Sequence, residues 1–334
     1  MKTTLLIPFF LTVSVGLVSG QAQHPAIPLF EQGKFADAIV ALEISVKTPQ
    51  FKSDPEIWNY LGLAYLASGS SKKSRKAFEK SVELDPSSPT FRANLAYAYL
   101  AGGQLARAVE NADEAIKLNP RTPDAYDVRA VANFRRNKLD LAERDADLFI
   151  EFNSSNPRAY LLKADILVAK FGERLMSGRS VTDEIAFLKR AVETLQTGSA
   201  KCKTGRGCSP IAQQLESITV FYQYFLRQST EPNSPSMTAP AEPEPGVVPV
   251  KITYQPKARY TDSAREANVQ GAIRVALLLS ADGRVEQVLF LSRLGYGLDQ
   301  EVLRAAQSIK FQPKQKDGKP VSTVVIREYT FSIY

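Results

Sequence analysis

Apolar residues recur through the first half of this chain at the spacing of one face of an α-helix. Trp58 and Leu61 belong to one such face, Gly69 follows it, and Phe78 and Val82 belong to a second face. The pattern predicts two helices joined by a tight turn, because glycine readily adopts the left-handed backbone that ends a helix.

The helical pattern repeats every 34 residues. Prolines mark one position of the repeat, turn residues a second and small residues a third: Pro55, Pro89, Pro123 and Pro157; Gly69, Gly103 and Asn137; Gly62, Ala96 and Ala130. Proline suits the first turn of a helix, and small residues let two helices approach closely. The repeat predicts stacked helix pairs, preceded by a partial pair and ended by a helix near residues 211–226.

The repeat resembles the tetratricopeptide repeat through Trp58, Leu61, Gly62, Tyr65, Phe78 and Pro86. It departs from that pattern at Ser74 and Ser81, which replace alanine, and at Asn133, which replaces tyrosine. The resemblance implies an all-α solenoid whose concave face is formed by the first helix of each pair. In family register this face includes Asn59, Leu63, Tyr97, Asp127 and Val131. It is either a partner-binding surface or part of a spacer stacked for stability.

The composition changes at residues 228–249, which contain six prolines and few large apolar groups. Such a segment predicts an extended linker between two domains. Beyond the linker, "GAIRVALLL" and "VEQVLFL" predict strands joined by an Asp-Gly hairpin turn, "YTDSAREAN" and residues 298–309 predict helices, and "VSTVVIREYTFSIY" predicts a last strand. This order predicts a small α+β module with helices on one antiparallel sheet.

Four motifs in residues 250–334 resemble the TonB C-terminal domain: "PKARYTDSAREANVQGAIRV", "SADGRVEQV", "GLDQEVLRAAQSIKFQP" and "DGKPV". The resemblance implies a periplasmic domain that captures an extended segment of an outer-membrane transporter as an added strand. Strand addition is physically reasonable at any sheet edge, because the partner satisfies unpaired backbone groups.

We expect the receiving edge to lie at residues 322–330, with basic residues before it that steer the partner. The candidate partner-binding residues are Ser322, Val324, Val325, Arg327, Tyr329, Lys316 and Lys319. The alternative for the lysines is an ordinary solvated face.

The N-terminal residues 1–20 combine a basic start, an apolar run and small residues before a polar segment. This order is typical of a secretory signal cleaved after Gly20. An uncleaved inner-membrane anchor is the alternative, and it would be the chain's only membrane contact, since no later segment is apolar enough to span a bilayer. The signal predicts a periplasmic protein.

The formal net charge is +7, and residues 251–334 carry thirteen Lys or Arg against eight Asp or Glu. Export and the lack of interleaved aromatic and basic residues argue against nucleic-acid binding. Cys202 and Cys208, separated by five residues, predict a disulfide, because a metal site needs more ligands. The single histidine, His24, leaves no Ser-His or Cys-His pair. We therefore expect no enzyme activity, no cofactor and no metal.

The predicted organisation is a leader (1–20), an all-α tetratricopeptide solenoid (21–227), a linker (228–249) and a small α+β TonB-type C-terminal domain (250–334). The predicted function is interaction with outer-membrane transporters in transport coupling. The alternative is an envelope scaffold whose solenoid binds a partner without energy transduction. The sequence leaves the oligomeric state open.

Overall fold

The prolines of the 34-residue pattern begin helices in the computed structural model, which describes residues 24–177, 181–202, 208–230 and 245–333. Pro55, Pro89, Pro123 and Pro157 are each the first residue of a helix. Asp54, Ser88 and Asn156 precede three of these prolines, and their side chains accept hydrogen bonds from backbone amides of the first turn. Each proline therefore stands where a helix needs no amide donor, directly after a cap that satisfies the neighbouring amides.

The turn residues of the pattern meet a second backbone requirement. Gly33, Gly69, Gly103 and Asn137 have φ values of 74°, 81°, 74° and 56°. Glycine and asparagine tolerate this left-handed conformation better than other residues. The 34-residue spacing thus records where helices begin and where the chain turns between them.

Eleven helices are described before the terminal strands. They are α1 (Ala26–Glu31), α2 (Phe35–Ser45), α3 (Pro55–Ala67), α4 (Ser71–Leu84), α5 (Pro89–Ala101), α6 (Leu105–Leu118), α7 (Pro123–Arg135), α8 (Leu139–Phe152), α9 (Pro157–Met176), α10 (Val181–Lys201) and α11 (Cys208–Thr230). The disulfide between Cys202 and Cys208 joins the end of α10 to the start of α11. The helical pairs confirm the predicted all-α solenoid.

The C-terminal elements follow in the order β1 (Val247–Val248), β2 (Lys251–Tyr254), α12 (Asp262–Glu266), β3 (Gly271–Leu279), β4 (Val285–Phe290), α13 (Leu298–Gln307), β5 (Lys310–Gln312), β6 (Lys314–Lys316), β7 (Lys319–Val321) and β8 (Thr323–Phe331). Within the described residues these strands form three antiparallel sheets, with strand orders β4-β3-β8, β1-β6-β7 and β2-β5. The predicted α+β module is confirmed, and the short strands β1, β2 and β5 to β7 add to it.

The described chain divides into two compact units, the first ending at Ala132 and the second beginning at Asn133. In the first unit the helices pack closely where the pattern has small residues. A Cβ atom added to Gly62 would lie 2.5 Å from the ring of Phe78, a distance that no side chain accepts. Ala96 is fully buried at the equivalent position. Small residues at this position therefore set the spacing of the helix pair, as the sequence predicted.

The sheet β4-β3-β8 lies in the second unit and is buried on both faces. Ile273, Val275 and Leu277 of β3 pack in one cluster with α12 and α13. The alternate residues Ala276 and Leu278 pack in a second cluster with side chains of α9, α10 and α11. Burial on both faces explains why the segment "GAIRVALLL" is almost continuously apolar instead of alternating.

The strands and the last repeat helices therefore share one hydrophobic core. Leu289, Leu291 and Val324 complete the strand side of the second cluster. Burying one such side chain contributes about 1.5–3 kcal/mol, so exposing this whole face would cost as much as a domain's net stability. The sequence predicted a terminal module joined by a linker; in the structure the last helices also cover this apolar face of the sheet.

Polar contacts support the packing of the strands on α9 and α11. Arg293 Nε donates to Asp165 Oδ1 at 3.1 Å, and Gln214 Nε2 donates to the same oxygen at 2.6 Å. Arg293 also lies over the Phe290 ring, 4.4 Å from its centroid. The arginine is thus held by a carboxylate of α9 and an aromatic ring of β4.

Two sequence predictions fall on residues that the structure leaves out. The leader, residues 1–20, lies outside the described residues, as does most of the linker, residues 231–244. Helix α11 extends to Thr230, two residues beyond the predicted start of the linker. The domain boundaries given above remain predictions from the sequence.

Candidate partner-binding edge

A sheet with the strand order β4-β3-β8 has two edges at which another strand can pair. The two edges differ in their surroundings. Helix α11 packs against β4, and Ser217 Oγ of α11 donates to the Val288 carbonyl of β4 at 3.3 Å. A polar group of the β4 edge is therefore already satisfied within the chain.

Strand β8 pairs with β3 along its whole length, from Thr323 opposite Leu279 to Phe331 opposite Gly271. On its other side, β8 has no strand partner within the described ranges. Unpaired amides and carbonyls along a strand favour the addition of a further strand. The predicted receiving segment thus lies at the edge of the sheet that has no further strand partner among the described residues.

Hydrogen bonds of β3 show which residues of β8 direct their backbone outward. The Arg274 amide donates to Ser292 Oγ at 2.9 Å, and the Arg274 carbonyl accepts from the Leu291 amide at 2.8 Å. Both partners follow β4, so the backbone groups of Arg274 face β4. Its cross-strand neighbour is Glu328. In an antiparallel sheet the backbone groups of Glu328 therefore point away from β3, toward the open edge.

The outward direction alternates along the strand. Four residues of β8 direct their amide and carbonyl toward the open edge, and they are Val324, Ile326, Glu328 and Thr330. The backbone groups of Val325, Arg327 and Tyr329 pair with β3 instead. The predicted site residues thus divide between groups that a partner strand can reach and groups that hold the sheet together.

The Arg327 side chain lies at this edge. Its Nη1 donates to the Ile326 carbonyl at 2.8 Å, and that carbonyl is one of the outward-facing acceptors. The side chain is half-buried, and burial lowers the pKa of the guanidinium. No carboxylate contacts it among the described residues, whereas neighbouring Glu328 is paired with Arg274 at 2.6 Å. The edge therefore carries a positive charge without an acidic partner.

Tyr329 lies two residues further along the strand, on the same face as Arg327. Its side chain is 6% exposed, and its hydroxyl has no hydrogen-bond partner in the described part of the chain. Burial raises the pKa of this hydroxyl to about 12, while the nearby charge of Arg327 opposes the shift. Both groups are hydrogen-bond donors, and neither meets an acidic acceptor there.

The other predicted edge residues occupy different positions. Ser322 is exposed directly before β8, and the Val324 side chain packs in the cluster with α9 to α11. Lys316 and Lys319 are exposed and opposite each other in the hairpin of β6 and β7. This hairpin leads directly into β8, so the lysines stand beside the start of the edge.

The predicted concave-face residues are mostly occupied within the first unit. The Asn94 side-chain amide donates to Asn59 Oδ1 at 2.8 Å, and the Tyr97 hydroxyl donates to Asp127 Oδ2 at 2.6 Å. Asn59, Tyr97 and Asp127 are buried, as is Leu63, while Val131 is half-buried. These polar side chains link neighbouring repeats to each other.

Sequence reasoning missed several features of the second unit, because they depend on contacts between distant residues. The pairing of Asp165 with Arg293 joins residues 128 positions apart. The hydrogen bond of Ser217 to the β4 edge cannot be predicted from the residues around Ser217 in the sequence, because its partner is 71 positions away. The continuous apolar run of β3 was the available sign that the sheet is covered on both faces.

A metal-binding cluster and a membrane-spanning helix are both absent from the described residues. These residues contain no group of three His, Cys, Asp or Glu side chains arranged to hold a metal ion. Within the same residues, each helix is too short or too polar to cross a bilayer.

Comparison with protein families assigns both parts of the chain. Residues 256–333 match the family model described as Gram-negative bacterial TonB protein C-terminal. Residues 26–89 and 94–157 match one tetratricopeptide repeat model, and residues 77–110 match another. Both families consist of interaction domains rather than enzymes. No curated protein matches the chain.

Several solved structures are similar to part of this chain. A crystal structure of MamA is 20% identical over 54% of this chain and 99% of its own, with a TM-score of 0.44. The repeat protein TTC0263 of Thermus thermophilus is 18% identical over 60% and 95%, with a TM-score of 0.40. The first repeat domain of Spaghetti (RPAP3), bound to an HSP90 peptide, is 26% identical over 34% and 91%, with a TM-score of 0.33.

Proposed function

Because the chain carries tetratricopeptide repeats followed by a TonB C-terminal domain, we propose that it captures an extended segment of an envelope protein as a strand added to β8. Together the two domain types support protein–protein interaction in the cell envelope. The observation that carries the finer proposal is the difference between the sheet edges: α11 covers β4, and β8 has no strand partner on its outer side among the described residues.

We propose an outer-membrane transporter as the source of the captured segment. The proposal rests on the resemblance to the TonB C-terminal domain. Lys316 and Lys319 stand beside the start of β8, where their positive charge increases the rate of encounter with an acidic segment. The predicted concave face of the solenoid supports a partner site less well, because four of its five side chains are buried.

The proposed location is the periplasm. Transport coupling additionally requires that the leader remain as an inner-membrane anchor, because force needs a fixed point. N-terminal sequencing of the protein isolated from cells separates the two forms. An intact Met1 in the membrane fraction supports coupling, and a form that begins near Gln21 supports an adaptor without energy transduction.

The structure suggests a matched pair of variants for strand addition. Glu328→Pro removes an outward-facing amide and leaves the ladder to β3 intact, because proline is tolerated where the amide faces away from the sheet. Glu328→Ala loses the same ion pair with Arg274 but keeps the amide. A proline at Val325 would be a poorer test, since that amide pairs with β3.

The variants are tested by cross-linking in cells. A photo-crosslinking amino acid replaces Thr330 at the open edge or, as a control, Asp282 in the hairpin turn. We expect adducts with an outer-membrane transporter from position 330 only, reduced about tenfold by Glu328→Pro and unchanged by Glu328→Ala. Adducts that Glu328→Pro leaves unchanged would contradict strand addition, and adducts with a different envelope protein would contradict the transporter assignment.

A further inference from the structure

Two donor groups on one face of β8 lack an acidic acceptor. Arg327 has no carboxylate partner among the described residues, and the Tyr329 hydroxyl has no hydrogen-bond partner there. Leaving a buried hydroxyl unsatisfied costs about 1–3 kcal/mol. Arg327 is half-buried and has no counter-charge among the described residues, which adds to the cost. A carboxylate on a ligand at this edge would supply the missing acceptor.

The positions of Arg327 and Tyr329 in β8 determine how close their side chains come to an added strand. Residues 327 and 329 pair with β3 through their backbones, so on the outer side they stand at non-hydrogen-bonded positions. In antiparallel pairing, the side chains of opposite residues come closest at these positions. A strand added antiparallel to β8 therefore brings a side chain on this face within reach of Arg327.

The Arg327 guanidinium also occupies a backbone acceptor that the added strand requires. Its Nη1 donates to the Ile326 carbonyl, which faces the open edge. A carboxylate attracts guanidinium more strongly than a carbonyl does, because both charges take part in the hydrogen bond. Drawing the guanidinium toward a carboxylate releases the carbonyl for pairing.

We propose that Arg327 binds a carboxylate on the captured segment, with the Tyr329 hydroxyl, buried in the free chain, as a second donor once the guanidinium has moved, so that strand addition at β8 selects segments with an acidic side chain opposite Arg327. This inference rests on the proposed function, since it needs a strand at β8. Glu328 does not fill the role, because its carboxylate accepts from Arg274 Nε at 2.6 Å. The specificity is thus built from two side chains of the edge strand itself.

The test uses the full chain and end-blocked peptides about as long as β8, which has nine residues. The peptides alternate threonine and valine, and each carries one glutamate at a different position. A control peptide with glutamine at that position, its glutamine twin, accompanies each of them. The blocked ends ensure that the glutamate side chain is the only carboxylate that the peptide can offer to Arg327. We expect one glutamate register to bind about tenfold more tightly than its twin at low salt, and the preference to weaken as salt rises.

The variants assign the preference to the two residues. Arg327→Gln should bind both twins equally, Arg327→Lys should retain part of the preference, and Tyr329→Phe should reduce it severalfold. Tyr329→Phe should unfold at the same or a higher temperature than the wild type, because the hydroxyl it removes makes no bond. This variant therefore separates ligand binding from folding.

The outcomes distinguish this inference from the function on which it rests. Equal binding of glutamate and glutamine twins, with both abolished by Glu328→Pro, would overturn the carboxylate site and leave strand addition standing. A glutamate preference that persists in Arg327→Gln would also overturn the site. Failure of every peptide to bind, at any register, would contradict strand addition itself.

Discussion

Neighbouring residues of β8 have different roles because the direction of their backbone amide and carbonyl groups alternates along the strand. The backbone of Glu328 faces the open edge, while the backbone of Arg327 holds the sheet to β3. The Arg327 side chain nevertheless reaches the open edge, where its Nη1 donates a hydrogen bond to the Ile326 carbonyl. A one-residue change in the pairing would exchange these roles, so the proposed binding edge depends on the β3–β8 register.

The histidine of the first unit gives a prediction about pH. His24 is buried, its Nδ1 accepts from the Ala26 amide at 3.2 Å, and its Nε2 lies 2.8 Å from Ser45 Oγ. The Nδ1 contact requires the tautomer with the proton on Nε2. Burial lowers the pKa of His24 from 6.5, while the charge of Asp54 opposes the shift. The folded state therefore disfavours the protonated ring.

The contribution of neutral His24 to stability should be complete above pH 6.5 and decline as the pH falls through the folded-state pKa. We expect the free energy of unfolding of the wild type, measured by denaturant titration relative to His24→Gln, to decrease between pH 7 and 5. The variant corrects for carboxylates that titrate in the same range. A difference that stays constant over this range would show that the histidine is not held in its neutral form.

Helix α9 joins the repeat pattern to the sheet. The preceding first helices, α3, α5 and α7, have 13 residues, whereas α9 has 20. The added turns carry Phe171, Gly172 and Leu175, and Phe171 and Leu175 belong to the core shared with the strands. The 34-residue register ends after Pro157 because the later helices pack on a sheet instead of another repeat.

Gly172 provides a test of that packing. An added Cβ would lie 2.8 Å from Leu291 Cβ, so Gly172→Ala should destabilise the second unit by about 1–3 kcal/mol. Alanine is the better helix former by about 1 kcal/mol, which would otherwise raise stability. Denaturant unfolding of Gly172→Ala, Leu291→Ala and the double variant measures the coupling.

We expect Leu291→Ala to relieve part of the cost of Gly172→Ala, because it removes the atoms nearest the new methyl group beyond Cβ. Strictly additive effects would mean that α9 and the strand region do not pack as described.

Sequence reasoning succeeded where structure depends on local requirements. The prolines, the turn glycines and Gly62 predicted helix starts, turns and close approach, and "GAIRVALLL" matches β3 residue for residue. It did not predict the short strands β1, β2 and β5 to β7, whose two to four residues carry too little pattern. It identified the edge segment, but not which of its backbone groups face outward, because that depends on the register with β3.

Across the whole molecule, the two edges of the sheet β4-β3-β8 in the second unit differ, since α11 packs at β4 and β8 has no outer strand partner among the described residues. The helices α9 to α11 cover a face of the sheet, and α11 also covers the β4 edge through Ser217. Covering exposed strand edges prevents unspecific pairing between chains. At the other edge, Arg327 occupies an outward-facing carbonyl of β8, and we propose that pairing there favours a partner that can displace it.

Amide hydrogen exchange of β8, followed by NMR with and without the captured segment, tests strand addition most directly. The four outward amides, those of Val324, Ile326, Glu328 and Thr330, should exchange rapidly in the free protein and become protected when the segment binds. The amides of Val325, Arg327 and Tyr329 should be protected in both states, because they pair with β3. Binding of the segment without new protection of the outward amides would contradict the account.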